Sequence, residues 1–241
     1  MIKAVLFDVD GTLVDSVDLH ARAWVDTFRE FGRDVAFEEV RGQIGKGGDE
    51  LMPVFLPPEE LQARGEEIEQ RRSEIFRERY LPQVKAFEGA HELLRHVDAR
   101  GLRVALASSA TAEEVAALKR IIGLEEDDLD AETSSDDAER SKPHADIFLA
   151  ALERLPGVGP DEAIVVGDTP YDMEAAAKAG IQAIGMLCGG FLEESLRTPN
   201  CIGIYRDPKH LLEDYELSPL GLSEFPCMAG RLNDTVRPWP G

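Results

Sequence analysis

The 241-residue sequence has little cysteine and no long apolar run. Its three cysteines, Cys188, Cys201 and Cys227, are too few and too scattered for a disulfide framework or a zinc site. No apolar run approaches the roughly 18 residues of a membrane span. The short N-terminal run Ile2–Phe7 lacks the length and the cleavage site of a signal peptide. These absences predict a cytoplasmic protein with no membrane partner.

Basic residues are also scarce, with 26 Lys and Arg against 47 Asp and Glu, for a formal net charge of -21. Such a surface repels nucleic acid, so we expect no nucleic-acid partner. It repels anionic substrates too, and a phosphate site would need a metal, a lysine or backbone N–H groups. The hydrophobic fraction of 43% is that of a globular protein. Composition leaves monomer and homodimer open.

Short apolar runs alternate with segments of helical periodicity. The runs are mostly aliphatic and continuous, which is typical of strands buried on both faces of a parallel sheet. We therefore predict a doubly wound, Rossmann-like α/β core, in which ligands bind beyond the carboxyl ends of the strands. The predicted strands are Ile2–Phe7, Leu102–Ala107, Ala163–Val166, Ile181–Leu187 and Cys201–Tyr205. The predicted helices are Ala90–Arg100, Thr111–Ile122, Pro143–Arg154 and Pro170–Ala179.

The segment from 15 to 84 has no convincing strand and predicts an inserted α-helical cap domain. Apolar residues from Val17 to Phe31 recur at helical spacing, with Gly32 as the stop, and a second, highly charged helix reaches Tyr80. The core then comprises residues 1–14 and 85–216. Residues 217–241 are proline-containing and lack periodicity, which predicts an irregular C-terminal tail.

Two carboxylates follow the first predicted strand, in Asp8-Val9-Asp10-Gly11-Thr12. Residues one apart in an extended chain share a side, so one carboxylate can be a nucleophile or metal ligand while the other handles a proton. Like charges that close need a cation or a proton between them. The alternative interpretation of the same residues is a hairpin turn at Asp10-Gly11.

Ser108 and Ser109 end the second predicted strand, before a helix with Thr111 as N-cap and Glu114 three residues on, a capping-box pattern. Since Thr111 can cap the helix, the Ser108 hydroxyl is left for a phosphate oxygen. Ser108 can equally be a loop serine that bonds its own backbone.

Two further patterns place charges near predicted helix starts. Lys142 precedes Pro143, where a cation opposes the helix dipole, which suggests an anion to neutralise; an exposed, solvated lysine is the alternative. Gly167-Asp168-Thr169-Pro170-Tyr171-Asp172 follows the third predicted strand. Thr169 can cap the next helix and Asp172 suits its first turn. Asp168 lies at the strand tip, where oxygen ligands suit Mg²⁺.

Taken in order, these four segments resemble the four motifs of the haloacid-dehalogenase-like superfamily. The resemblance covers roughly residues 1–215. The helical insert is similar to that of the capped subfamily that includes phosphoglycolate phosphatases and β-phosphoglucomutases. The resemblance implies a Mg²⁺-dependent phosphatase that acts on a small phosphorylated metabolite through an aspartyl-phosphate.

The resemblance also implies roles for single residues. Asp8 resembles the nucleophile, and Asp10 the general acid/base that also offers a backbone carbonyl to the metal. Lys142 resembles a catalytic cation that binds the phosphate together with Ser108. Asp168 resembles a metal ligand and Asp172 a residue beside it. Thr12 and Ser109 are further phosphate-binding candidates in the same motifs.

Two cap residues complete the predicted site. His20, in His20-Ala21-Arg22-Ala23-Trp24, is similar to a histidine of the β-phosphoglucomutase cap; a packed or helix-capping histidine is the structural alternative. The loop Ile44-Gly45-Lys46-Gly47-Gly48-Asp49 has glycines where the mutases present an arginine. Lys46 is the one cation of that loop, available to a second anionic group of the substrate or simply to solvent.

Three alternative functions follow from the same residues. A β-phosphoglucomutase-like phosphomutase is the nearest rival, and the loop glycines and Thr12 favour hydrolysis over it. Asp10 and Asp168 argue against a dehalogenase, which needs neither a second carboxylate nor a metal. A scaffold without activity is disfavoured by the intact set of motifs. The substrate itself is not readable from the sequence.

Overall fold

The computed structural model describes residues 1–125 and 128–222. The strands are β1 (Ala4–Phe7), β2 (Val14–Asp15), β3 (Lys85–Ala86), β4 (Arg103–Ala107), β5 (Ala131–Thr133), β6 (Ala163–Gly167), β7 (Gln182–Met186) and β8 (Cys201–Tyr205). The helices are α1 (Val17–Glu30), α2 (Phe37–Arg41), α3 (Gly48–Phe55), α4 (Pro58–Ile75), α5 (Ala90–Ala99), α6 (Ala112–Ile122), α7 (Asp146–Glu153), α8 (Pro170–Ala179), α9 (Glu193–Leu196), α10 (Pro208–Glu213) and α11 (Pro219–Leu222).

Six strands form one parallel sheet in the order β5-β4-β1-β6-β7-β8. Strands β1 and β6 are buried along their whole length, because a hydrophobic cluster packs against each face of the sheet. The predicted Rossmann-like α/β core with five of its strands is confirmed. The sixth, β5, was not predicted, since its three residues include Glu132 and follow an acidic segment, which leaves no apolar run to detect.

Helices α1 to α4 pack around a third cluster that is separate from the core, and we call these helices the cap. Val17, Trp24 and Phe28 of α1 supply the centre of this cluster. The helix ends at Glu30, and Gly32 follows with φ of 79°, the left-handed conformation that glycine tolerates. Helix α4 continues as a π-helix over Phe76–Tyr80. The short helices α2 and α3 were not predicted, and the predicted bounds of the cap domain stay a prediction.

Two predicted elements are corrected by the structure. The helix predicted from Pro143 begins at Asp146 instead, because residues 141–144 form a turn in which the His144 N–H donates to the Ser141 carbonyl. The tail is not irregular from its start, since α11 (Pro219–Leu222) buries Leu220. The rest of the predicted tail, with Cys227, lies outside the described residues. Within the described ranges, no helix has the length and apolar character needed to cross a bilayer.

Candidate active site

The carboxyl ends of three neighbouring strands bring the predicted motifs together. Asp8 follows β1, Ser108 follows β4 and Asp168 follows β6, and β1 lies between the other two strands. Parallel strands end at the same edge of a sheet, so residues far apart in the chain meet there. Asp8, Ser108 and Asp168 are 5%, 1% and 0% exposed. The site is therefore a buried one, in which water screens charges little.

Lys142 lies at the centre of this site and is 1% exposed, so its interpretation as a solvated lysine is wrong. Its Nζ donates to Asp8 Oδ1 at 2.5 Å and to the Ala107 carbonyl at 3.1 Å, and it lies 2.8 Å from Asp172 Oδ1. It lies four residues before α7, so the helix-dipole argument does not apply to it. A buried ammonium among carboxylates is a fixed charge that can bind a phosphoryl oxygen.

Burial and mutual attraction shift the pKa values of Asp8 and Lys142. Burial raises the pKa of Asp8 to about 7, although the nearby Lys142 ammonium opposes the rise. Burial acts to lower the pKa of Lys142, but the attraction of Asp172 and Asp8 outweighs it and the net shift is upward. Lys142 therefore keeps its charge at neutral pH.

Three carboxylates, from Asp8, Asp168 and Asp172, present ligand atoms within 4.8 Å of one another. Burial, and then repulsion by Asp8 and Asp172, raise the pKa of Asp168 well above its usual value. Asp168 Oδ2 is buried and has no hydrogen-bond partner among the described residues. Buried carboxylate oxygens of this kind are hard ligands suited to Mg²⁺. The donor set therefore fits a divalent cation.

Two glycines, Gly11 and Gly189, lie against the Asp168 carboxylate. Gly11 has φ of 85°, and a Cβ added there would lie 2.3 Å from Asp168 Oδ2. A Cβ on Gly189 would lie 1.7 Å from the same oxygen. No side chain fits at either position, so only glycine lets the backbone come this close to the carboxylate. Thr12 Oγ1 lies 3.0 Å from Asp168 Oδ1 and 3.2 Å from Asp8 Oδ2, where its single proton can serve either.

Asp10 faces the cap rather than the three carboxylates. Its Oδ1 accepts a hydrogen bond from Ser16 Oγ at 2.6 Å and lies 2.9 Å from His20 Nε2. Burial acts to raise the pKa of Asp10, but His20 and Ser16 lower it more, so the net shift is downward. His20 is buried and also stacks on Phe76 at 3.8 Å. His20 is therefore packed, as the structural alternative predicted, and it also makes a polar contact with Asp10.

The two serines differ in their hydrogen bonds. Ser108 Oγ accepts from the Ala110 N–H at 3.0 Å, which is the local bond of a loop serine and leaves its own proton for another acceptor. Ser109 Oγ is buried without a partner in the described part of the chain. Both hydroxyls can thus donate to an anion bound beside Asp8.

A small cavity of about 50 Å³ lies between the core and the cap. Asp8, Asp10 and Ser109 line it from the core, and His20, Lys46 and Arg72 are among its cap residues. The cap loop approaches the core closely, since a Cβ on Gly45 would lie 2.6 Å from Thr169 and one on Gly47 would lie 2.0 Å from Ser141 Oγ. These glycines leave no room for a side chain there.

Lys46 lines this cavity with its ammonium already engaged. Its Nζ donates to Gln43 Oε1 at 2.7 Å and lies 4.8 Å from the centre of the Tyr171 ring, a cation–π distance. The Tyr171 hydroxyl in turn donates to the Gly42 carbonyl at 2.5 Å. Lys46 is thus placed beside the cavity, and its predicted contact with a second anion stays a prediction.

The sequence interpretation missed one residue pair of the site. Thr111 Oγ1 accepts from the Glu114 N–H as predicted, but the Glu114 side chain does not complete the capping box. It accepts a hydrogen bond from Arg72 Nη1 at 2.8 Å instead. Arg72 lies in a helix rich in charged residues, so nothing in the local sequence distinguished it. The Thr169–Asp172 capping box, by contrast, is complete.

Comparisons with known proteins agree with this geometry. The family model of the haloacid dehalogenase-like hydrolases matches residues 2–180. A phosphorylated carbohydrates phosphatase of Thermotoga maritima is 30% identical over 184 residues, which are 76% of this chain and 84% of that protein. The chloroplastic protein SUPPRESSOR OF QUENCHING 1 of Arabidopsis thaliana is 35% identical over 188 residues, or 77% of this chain, but the match spans only 18% of the plant protein. A hydrolase from Pseudomonas syringae superposes with a TM-score of 0.81 at 27% identity, covering 89% of this chain and 98% of that one.

Proposed function

The chain belongs to the haloacid dehalogenase-like hydrolase family, and on that premise we propose that it is a Mg²⁺-dependent phosphatase of small phosphorylated metabolites. The observation that carries the proposal is the buried contact of Asp8 with Lys142 beside Asp168, at the ends of adjacent strands. The phosphorylated carbohydrates phosphatase among its relatives supports a sugar-phosphate-like substrate. A cytoplasmic location remains part of the proposal.

The proposed reaction has two displacements at phosphorus. An Asp8 oxygen attacks the phosphoryl group, the bond to the ester oxygen breaks, and the leaving alkoxide takes a proton from Asp10. Water then attacks the aspartyl-phosphate, Asp10 accepts its proton, and the bond to Asp8 breaks to release phosphate. Splitting the reaction in this way replaces one difficult step by two easier ones.

The surrounding side chains stabilise charge on the phosphoryl oxygens. Lys142 is fixed by Asp8 and Asp172, so little reorganisation accompanies the reaction. Ser108 and Ser109 supply hydroxyl donors, whereas the single Thr12 proton is donated to Asp8 or Asp168. Asp8, Asp168, Asp172 and the Asp10 carbonyl would hold Mg²⁺, which when bound neutralises charge on the transferring group. His20 lies where it can exchange a proton with Asp10 when the cap is closed.

The test of this function is a screen for phosphate release. The purified protein is incubated with Mg²⁺ and a panel of sugar phosphates, phosphoglycolate, nucleotides and an aryl phosphate. We expect release from the aryl phosphate and from at least one metabolite class. The proposal fails if a folded preparation releases phosphate from none of them.

We predict that hydrolysis dominates over phosphoryl transfer between sugar positions. Gly45 and Gly47 pack against Thr169 and Ser141, so the loop has no room at those positions for the arginine that a mutase would present. The measurement is product analysis with β-glucose 1-phosphate and a bisphosphate primer, in which inorganic phosphate should exceed glucose 6-phosphate. Glucose 6-phosphate formed much faster than phosphate would favour the mutase.

We predict that Lys46→Ala lowers kcat/KM about tenfold for a substrate with a second anionic group, and much less for an aryl phosphate. The reason is that Lys46 lines the cavity from the cap and Asp8 lines it from the core, so we expect Lys46 to contact the leaving group and not the phosphoryl group. Equal losses on both substrates would indicate a general effect on cap closure. No loss on either substrate would mean that Lys46 makes no substrate contact.

A further inference from the structure

The boundary between cap and core contains an ion-pair cluster formed by the buried Arg72 and Glu114 and the half-buried Glu69. Arg72 of α4 is 6% exposed and donates through Nη1 to Glu114 Oε1 at 2.8 Å and through Nη2 to Glu69 Oε1 at 3.0 Å. Its guanidinium also lies 5.6 Å from the centre of the Trp24 ring. Glu114 belongs to α6 of the core and is 5% exposed, so the cluster joins the two units.

This cluster is incompletely satisfied. Glu114 Oε2, Glu69 Oε2 and Arg72 Nε are buried and lack hydrogen-bond partners within the described ranges. An unpaired buried carboxylate oxygen destabilises the folded protein, because it has lost its hydrogen bonds to water. The two carboxylate oxygens can therefore accept hydrogen bonds from a ligand bound beside them, and Arg72 Nε can donate one.

The cluster lies where the leaving alcohol of a phosphate ester would bind. Arg72 and Glu114 line the small cavity that contains Asp8, and they also line an adjoining cleft of about 900 Å³. The small cavity of about 50 Å³ has room for little more than one water, whose share of liquid volume is about 30 Å³. An alcohol attached to a phosphoryl group at Asp8 must extend past this ion pair into the cleft.

The charges there disfavour a second anion. One arginine and two glutamates leave the cluster with a net charge of −1. The adjoining cleft is lined by seven acidic residues and three arginines. Arg72 is thus already neutralised, and a second phosphate or carboxylate would meet repulsion in the cleft, which Lys46 does not line. Hydroxyl groups, by contrast, can donate to the free carboxylate oxygens.

We propose that Glu114, Glu69 and Arg72 form the leaving-group subsite and that it selects phosphate esters of hydroxylated alcohols without a second anionic group. This inference rests on the proposed phosphatase function and names its substrate class. Glu114 and Glu69 accept hydrogen bonds from substrate hydroxyls, and Arg72 holds the two carboxylates in place. A close approach of Glu69 to the loop requires Gly48, where a Cβ would lie 1.5 Å from Glu69 Oε2.

The experiment compares glycerol 3-phosphate with 3-phosphoglycerate, which carries a carboxylate where glycerol 3-phosphate has a hydroxymethyl group. We expect the wild-type protein to favour glycerol 3-phosphate in kcat/KM by at least about tenfold. Glu114→Gln keeps a hydrogen-bond acceptor but removes one negative charge, so this preference should fall about tenfold. Glu69→Gln should lower it in the same direction while keeping the Arg72–Glu114 pair that joins cap and core.

The matched control is Glu113→Gln. Glu113 neighbours Glu114 on α6 and makes an exposed ion pair with Arg77. It lines the adjoining cleft but not the small cavity. The preference ratio of this variant should stay within about twofold of the wild type, because exposed pairs contribute little and are screened.

The outcomes separate this inference from the proposed function. No phosphate release from any substrate, the aryl phosphate included, would overturn the function itself. Turnover with a wild-type preference for 3-phosphoglycerate would overturn the inference alone and would favour the predicted contact of Lys46 with an anion. Equal losses on both substrates in Glu114→Gln and Glu69→Gln, with an unchanged ratio, would reduce the cluster to a structural role and also overturn the inference.

Discussion

Replacement of Asp8 by asparagine is expected to lower phosphate release by about four orders of magnitude or more while the fold is retained. Asparagine keeps the shape of the side chain but lacks the anionic oxygen that attacks phosphorus. Lys142 keeps Asp172 as a partner at 2.8 Å, so the variant does not strand the buried ammonium. Burial already disfavours the ionised form of Asp8, as its pKa of about 7 indicates, so its loss should cost little stability.

The measurement is phosphate release from an aryl phosphate, paired with thermal unfolding. Asp98→Asn on α5 serves as the control, because it makes the same chemical change at an exposed position of the core. Asp10→Asn should also lose most activity, yet retain some formation of phosphoenzyme with a leaving group that needs no proton. Labelled phosphate trapped on a residue other than Asp8 would contradict the assignment.

Removal of Mg²⁺ by a chelator is expected to reduce activity to background, and added Mg²⁺ should restore it. Asp8, Asp168 and Asp172 place three carboxylates within 4.8 Å, and one lysine does not balance them. Asp168→Asn should lower activity about a thousandfold by weakening the hold on the metal. Activity that persists undiminished in excess chelator would refute the metal role.

A binding measurement supports this prediction independently of activity. Mg²⁺ should raise the unfolding temperature of the wild-type protein, since a ligand that binds the folded state stabilises it. The rise should be smaller in Asp168→Asn. Without metal, Asp168→Asn should unfold at a higher temperature than the wild type, because the substitution removes a buried carboxylate that its neighbours repel. A metal-free Asp168→Asn protein that unfolds below the wild type would contradict this electrostatic reasoning.

The sequence by itself determined the core and the convergence of its main motifs. Buried parallel strands are continuous apolar runs, and such strands end at one edge of the sheet, so residues after them must meet. Asp8, Ser108 and Asp168 were placed together on that reasoning, and the capping of α8 by Thr169 with Asp172 followed from local spacing alone. Within the described six-stranded sheet, only β5, which is short and partly polar, lacked this signal.

Only the tertiary structure decided which charged residues pair over long distances along the chain. The local sequence of Lys142 favoured a solvated lysine over a binding residue, and its burial between Asp8 and Asp172 depends on contacts 134 and 30 residues away along the chain. Arg72 and Glu114 lie in separate helices of the cap and the core, each among many other charged residues. Hydrophobic periodicity specifies which face of a helix is buried, but it does not specify which charge meets which. That choice is made when the cap packs on the core, because burial makes an unpaired charge costly and leaves only complementary pairs stable.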